Sequence, residues 1–343
     1  MSFAELRNKT FVTEFILLGL SDAPELRIFL PIMFSIIYIV TVTGNLLTIC
    51  IIAVNYHLHS PMYFFLACLS LLEACFTSLF VPKMLVILVS EKKSISFSNC
   101  FIQCYFFYLL LGTDLSLLTV MSIDRYVAIC RPMHYATIMT HRVCAQTVLG
   151  CWVTAFVLLL PTFILLLRSP FCGPNEINHF FCDGFELLKL SCGDTCVLKL
   201  FISIVSFTYL TGSSLVIAMS YIYILFTILK ISSRTGRSKA FSTCTSHLSM
   251  VSISFGSASF IQATAYENNS RDLNKVVTLV AATLPPLLNP FIYTLRNQKN
   301  MKVKNETVVI EFILEGFPGS PQMQNFIFVL LIVVYMSPYL GTF

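Results

Sequence analysis

Charge is what this sequence lacks. Only 11% of its 343 residues are acidic or basic, and 56% are apolar. A soluble globular domain carries about 25% charged residues. So few charges cannot cover a water-facing surface, which excludes an ordinary soluble protein and makes lipid part of the solvent. A cleavable leader is not expected either. Met1-Ser2-Phe3-Ala4-Glu5 is not the charged-then-apolar run, ending in small residues, that a leader needs. The first membrane helix is therefore expected to act as its own insertion signal. No metal, phosphate-binding or nucleophile constellation stands out, so neither enzyme chemistry nor a cofactor is expected. Nucleic acid is not an expected partner.

What the chain has in quantity is long apolar runs. About 20 mostly apolar residues cross the hydrocarbon core as a helix. Seven stretches qualify: Leu26–Val54, Pro61–Val89, Asn99–Ile129, Arg142–Leu167, Lys199–Leu229, Ala240–Ala265 and Leu273–Leu295. An all-helical bundle follows, because lipid offers no partner to an open backbone. One alternate set of connectors holds Arg131 and Arg142, then Lys230, Arg234, Arg237 and Lys239, then Arg296, Lys299, Lys302 and Lys304, with almost no acids nearby. That set should be cytoplasmic, which places the N-terminus outside. Asn8-Lys9-Thr10, a glycosylation acceptor usable only on the lumenal side, agrees. So does the cysteine-rich connector from Ser169 to Leu198, suited to an oxidising face. Of the 13 cysteines, Cys50, Cys68, Cys75, Cys144 and Cys151 sit inside apolar runs and read as small buried hydrophobes.

Two short motifs carry chemistry. Asp124-Arg125-Tyr126 ends the third span on its inner side. Charges at a membrane boundary are expensive and are kept for function. Asp124 can hold Arg125 at rest and release it to a cytoplasmic partner. Asn289-Pro290-Phe291-Ile292-Tyr293 lies in the seventh span. Pro290 removes a backbone donor and kinks the helix, and Asn289 is placed to satisfy freed carbonyls. A plain proline kink would read the same way, and Pro285-Pro286 fits it equally.

With these motifs in view, the chain resembles the rhodopsin-like receptors and, within them, the olfactory receptors. The phrases that carry the likeness are Pro61-Met62-Tyr63-Phe64-Phe65-Leu66, Met121 through Cys130, Ser220-Tyr221, Lys239-Ala240-Phe241-Ser242-Thr243-Cys244-Thr245-Ser246-His247-Leu248, and Pro286 through Tyr293 running into Leu295-Arg296-Asn297. Roughly residues 8 to 300 are covered. The resemblance implies a rhodopsin-like seven-transmembrane bundle in the plasma membrane that binds small volatile odorants and activates a stimulatory G protein to raise cAMP. A receptor-transporting chaperone is a candidate partner. It implies disulfides Cys100–Cys182 and Cys172–Cys192, leaving Cys196 over. His179-Phe180-Phe181-Cys182-Asp183 is similar to a metal-binding pattern suggested for the family, but a packed loop is the better reading.

By the same resemblance the ligand sits among the third, fifth and sixth spans. Matching residues are Phe107, Tyr108, Leu111 and Gly112, then Ile202, Ser206 and Tyr209, then Phe255, Ala258, Ser259 and Gln262. Helical spacing puts each set on one face. This lining holds no acid or base, which disfavours charged ligands such as amines. Phe255 stands where many of these receptors carry a tryptophan switch. Arg125, Tyr221 and His247 should converge at the inner end, with Asn289, Pro290 and Tyr293 completing the switch. Glu73 and Asp114 exchange the acids that the family usually places at these positions. Facing each other in low dielectric, they would share a proton, hold a cation such as sodium, or stand as two separately hydrogen-bonded acids.

The last stretch departs from the pattern. Asn305 through Gly316 repeats Asn8 through Gly19 in one register, including Glu311-Phe312-Ile313-Leu314 against Glu14-Phe15-Ile16-Leu17. The register continues through Pro24 and Pro321, Phe29 and Phe326, Tyr38 and Tyr335, and Gly44 and Gly341. The reading is therefore an outer N-terminus over 1–25, a receptor bundle over 26–300, and a tail over 301–343 that resembles the start of a second receptor. The alternative is a non-functional fusion of two receptor genes. A peptide or lipid receptor and a channel or transporter fit the motifs less well.

Overall fold

The computed structural model describes residues 12–20, 26–90, 93–171, 175–230, 233–265 and 271–301. Among these, the long helices are α1 (Leu26–Val54), α2 (Pro61–Val89), α3 (Phe97–Cys130), α5 (His141–Leu167), α7 (Cys196–Lys230), α8 (Arg234–Thr264) and α9 (Arg271–Met301). Two short helices, α4 (Tyr135–Ile138) and α6 (Gly184–Lys189), lie in connectors. The seven long helices form the expected bundle. Several begin earlier than their apolar runs, because polar caps start them. Ser96 accepts from the Asn99 N–H to open α3, Thr140 from Val143 to open α5, and Ser233 from Gly236 to open α8. Each oxygen satisfies one of the orphan donors of a first turn. Pro61 begins α2, where its missing donor costs nothing.

Large apolar side chains cover the outer faces. Ile28, Ile36, Phe207 and Phe226 are all exposed. In water such faces would drive aggregation; in lipid they are the natural surface. Cys50 and Cys75 lie on these exposed faces, Cys68 is half-buried, and Cys144 and Cys151 are buried. The reading of all five as buried therefore holds only in part, since lipid suits a thiol as well as the core does.

α3 runs through the middle of the bundle. Leu115, Leu117, Leu118 and Met121 pack there against Phe65, Leu69, Ile217, Val251 and Phe255. α1 approaches α9 closely at Gly44, where a Cβ would stand 3.2 Å from Pro290. A larger residue there would require Pro290 to give by a few tenths of an ångström.

One end of the bundle is capped by a small sheet absent from the sequence reading. β1 (Glu14–Leu17) is its central strand, antiparallel to β2 (Ser94–Ser96) and parallel to β3 (Glu176–Ile177). Phe15 and Leu17 point inward and are fully buried. Gly19 follows with φ of 80°, a left-handed turn that glycine adopts freely. Cys100 and Cys182 are joined, tying the connector before α7 to α3. Cys192 is also disulfide-bonded, while Cys172 and Asn8 lie outside the described residues. The chain divides into two compact units, Met1–Tyr293 and Thr294–Phe343. The tail after Met301, with its repeated motif, lies outside the described residues.

Candidate functional site: a cavity under a sealed roof

The cap makes a roof. Phe180, Phe181 and Cys182 are fully buried. Phe181 stacks on Phe107 of α3, ring centres 4.1 Å apart, and Phe180 packs on Phe80 of α2. Asp183 caps α6 by accepting from the Phe185 and Glu186 amides, and its other oxygen accepts from the Tyr108 hydroxyl at 2.7 Å. Burial pushes the Asp183 carboxyl up, against these hydrogen bonds. The same burial holds His179 down at about 3, helped by nearby Lys275. Lys275 itself is buried and donates to Asn178 at 2.8 Å, joining the roof to α9.

Beneath the roof lies a cavity of about 250 Å³. Nine of the eleven residues expected to contact a ligand line it: Phe107, Tyr108, Leu111, Gly112, Ile202, Ser206, Tyr209, Ala258 and Gln262. Two do not. Ser259 is exposed, one register from Ala258 on α8. Phe255 packs into the central core instead, touching the cavity only through neighbours such as Ala258. Helical registers one residue apart differ by 100° in direction, and that decides both cases. Tyr209 reaches from α7 to α3, donating to the Gly112 carbonyl at 2.8 Å and meeting the Ser116 hydroxyl at 2.6 Å.

The cavity is wider than the three spans assigned to it. It reaches α2 through Leu72, Glu73 and Phe76, α5 through Ala155 and Thr162, and α9 through Thr278 and Ala282. An acid-free lining is therefore incorrect: Glu73, Asp114 and Asp183 all face it. The argument against amines falls with it. Glu73 and Asp114 are near enough for their charges to interact. No hydrogen bond joins them. Glu73 Oε1 accepts instead from the Asn289 amide, while Glu73 Oε2 and Asp114 Oδ1 are buried without a partner.

At the opposite end of the bundle, Asp124 accepts a hydrogen bond from Tyr135 of α4 at 2.8 Å. The expected partner was Arg125, which lies close by but contacts the Met62 sulfur. Tyr126 faces Tyr223 of α7. His247 is buried. Its Nε2 lies 3.2 Å from the Leu118 carbonyl and its Nδ1 lies 2.7 Å from the Tyr221 hydroxyl. A carbonyl can only accept, so Nε2 carries the proton and Nδ1 accepts from Tyr221. One neutral imidazole thus ties α8 to both α3 and α7, with Arg125 alongside. The Tyr293 side chain lies outside the described residues.

Comparison with known proteins matches this arrangement. The sequence pattern of the olfactory receptor family matches residues 34–312. Olfactory receptor 2AP1 from Homo sapiens is 44% identical over 86% of this chain and 95% of its own. Olfactory receptor 6E1 from Mus musculus is 45% identical over 88% and 97%. This chain belongs to the olfactory receptor family. Squid rhodopsin shares the fold, with a TM-score of 0.60 at 17% identity over 83% of this chain and 87% of that one. The olfactory receptor is thus a multi-pass membrane receptor, not an enzyme, with an odorant and a G protein as its partners. Matches of this length do not favour the non-functional alternative.

Sequence reasoning missed the hydrogen bonds of three residues in this olfactory receptor. Asp183 was named only within a metal pattern, although an Asp just before Gly-Phe-Glu is a readable N-cap signal. Tyr135 carries no local signal; only its hydrogen bond to Asp124 reveals it. Asn45 donates to the Pro286 carbonyl across 241 positions of sequence, and nothing nearby announces that.

Proposed function

We propose that this olfactory receptor binds a small, mostly apolar volatile molecule in the cavity and activates a stimulatory G protein that raises cAMP. The observation carrying this reading is the cavity lined by Phe107, Tyr108, Leu111, Gly112, Ile202, Ser206, Tyr209, Ala258 and Gln262. An engineered cavity of about 150 Å³ already holds benzene, so a space of about 250 Å³ is ample for a volatile molecule. Aliphatic and aromatic walls reward burial of a hydrocarbon body.

The ligand acts by shifting a population between two packings. Ala258 touches both the cavity and the core cluster that holds Phe255, so ligand contact on α8 presses on that core. At the inner end, α8 is held by the Tyr221–His247–Leu118 bridge. Swinging α8 outward breaks the bridge, moves His247 away from Arg125 and opens a groove for a G-protein helix. Glu73 and Asp114, sharing a proton or enclosing a small cation, couple occupancy to the kink at Asn289 and Pro290. In this reading the capped end is extracellular, Asn8 is glycosylated, Cys172 pairs with Cys192, and the receptor reaches the plasma membrane with a transporting chaperone.

The tail, 301–343, repeats a receptor N-terminus, so it should hinder trafficking. The test is a cAMP reporter assay of the full chain beside a copy ending at Asn300, with surface labelling and a mixed volatile panel. The reading expects the shorter copy to respond at least as well per surface molecule. Absence of any cAMP response from either copy, at normal surface levels, would refute it.

A further inference from the structure

One wall of the cavity is thin. Among the described residues that line it, Leu158 of α5 is the one that is also exposed, at 37%. It belongs to a stripe on α5, with Ala155, Leu159 and Thr162, whose spacing of three and four shares one face. Val205 and Ser206 of α7 line the same space. The outer surface here is apolar: Val157 is exposed on α5, and Ile204 and Phe207 on α7. At a rise of about 1.5 Å per residue, Leu158 lies roughly 15 Å along α5 from Arg168 at the roof end. That is near the middle of a hydrocarbon core of about 30 Å. The roof, in contrast, is held shut. Phe180, Phe181 and Cys182 are fully buried there. The Cys100–Cys182 bond, the Phe181–Phe107 stack and the Tyr108–Asp183 hydrogen bond fasten this segment to α3.

We infer that the cavity opens to lipid beside Leu158, between α5 and α7, and that this receptor takes its ligand from the membrane interior rather than through the roof. The inference rests on the cavity being the ligand site. The two routes differ in what must move. Entry through the roof breaks a ring stack and a buried hydrogen bond and displaces a disulfide-tied segment. Entry beside Leu158 needs one exposed side chain to change rotamer, a motion of picoseconds to nanoseconds. The membrane also concentrates apolar molecules at that mouth. Each added CH₂ favours lipid over water roughly fourfold. A permanently charged molecule is kept from the middle of the bilayer by its cost there. The route thus selects small, lipid-soluble ligands even though Glu73, Asp114 and Asp183 face the cavity.

The experiment uses the full chain in phosphatidylcholine vesicles and two photoreactive probes. One is free trifluoromethyl phenyl diazirine, a small apolar molecule. The other is phosphatidylcholine carrying the same group midway along an acyl chain, which lipid anchoring keeps from passing the roof. After illumination, labelled residues are mapped by peptide mass spectrometry. Phe107 and Leu115 line the cavity and are buried, so label on them reports entry. Both probes should label them. Leu158→Trp, which fills the mouth, should cut their labelling by the anchored probe about tenfold, the effect of about 1.4 kcal/mol. Label on the outward-facing Ile204 and Phe207 should stay constant. Leu158→Phe gives the same reading if the tryptophan variant fails to fold. If the anchored probe labels Ile204 and Phe207 while the free probe alone reaches Phe107 and Leu115, the inference is overturned and the cavity reading stands. Inner labelling by the anchored probe that neither substitution reduces would also overturn it, since the opening would lie elsewhere. If the free probe too leaves Phe107 and Leu115 unlabelled, the cavity reading fails and the inference with it.

Discussion

The Asn45 amide on α1 donates to the Pro286 carbonyl on α9 at 3.0 Å, and it also bonds Thr41 on its own helix at 3.0 Å. Pro286 is the residue whose carbonyl Pro290 cannot satisfy, because Pro290 has no N–H four positions on. The partner of that orphan thus comes from a different helix. Asn289, the neighbour expected to repair the kink, spends its amide on Glu73 instead. Gly44, one residue before Asn45, lets the two helices approach closely enough for the bond to form.

Asn45→Ala should therefore destabilise the receptor by about 1–3 kcal/mol, the expense of an unsatisfied buried carbonyl. The melting temperature of detergent-solubilised receptor reads this out. Gly44→Val, which forces the two helices apart at Pro290, should lower it at least as much.

Roof integrity depends on Tyr108. Tyr108→Phe removes the donor to a buried Asp183 and should cost about 1–3 kcal/mol. Because Asp183 and Tyr108 both line the cavity, ligand potency should fall as well. A potency loss with unchanged surface expression is the expected pattern in a concentration–response series.

The disulfide between Cys100 and Cys182 closes a loop with a sequence separation of 82. A loop of that size is worth on the order of 4 kcal/mol in restricted chain entropy. Cys100→Ser should therefore abolish most surface labelling, and growth at lower temperature should restore part of it.

His179 gives the roof a pH dependence. Its folded value, about 3, lies below the ordinary 6.5, because burial and Lys275 oppose the charged ring. Glu186 partly offsets this and Lys189 adds to it. Below about 6.5 the unfolded chain binds a proton that the folded roof refuses. Stability from this group is thus complete above that pH and is lost progressively as pH falls toward about 3, at up to about 1.4 kcal/mol per unit. Thermal denaturation of solubilised receptor at pH 7 and pH 5 should show the loss, and His179→Gln should flatten it.

How much of this was legible depends on the range of each interaction. The seven helices follow from apolar runs, because lipid imposes a length and satisfies no backbone. Their early starts at Ser96, Thr140 and Ser233 needed only cap chemistry. Phe107, Leu111, Ile202 and Ala258 were placed by resemblance and helical spacing, and line one space. The sheet was not legible: Glu14–Leu17 is four residues long, and its partners come from two distant connectors. Phe255 and Ser259 missed the cavity because a one-residue step, about 100° about the helix axis, separates lining from core or lipid. Glu73 and Asp114 were recognised as a pair, yet their position on the cavity floor required knowing that α2 and α9 border it.

The most direct test of the account fills the cavity. The full receptor and its Ala258→Trp variant are compared by cAMP concentration–response to the most active volatile in a broad panel, each normalised to surface label. The account predicts a clear native response and at least a tenfold loss of potency in the variant. Equal responses from the two at equal surface density would contradict it, because the ligand would then bind elsewhere.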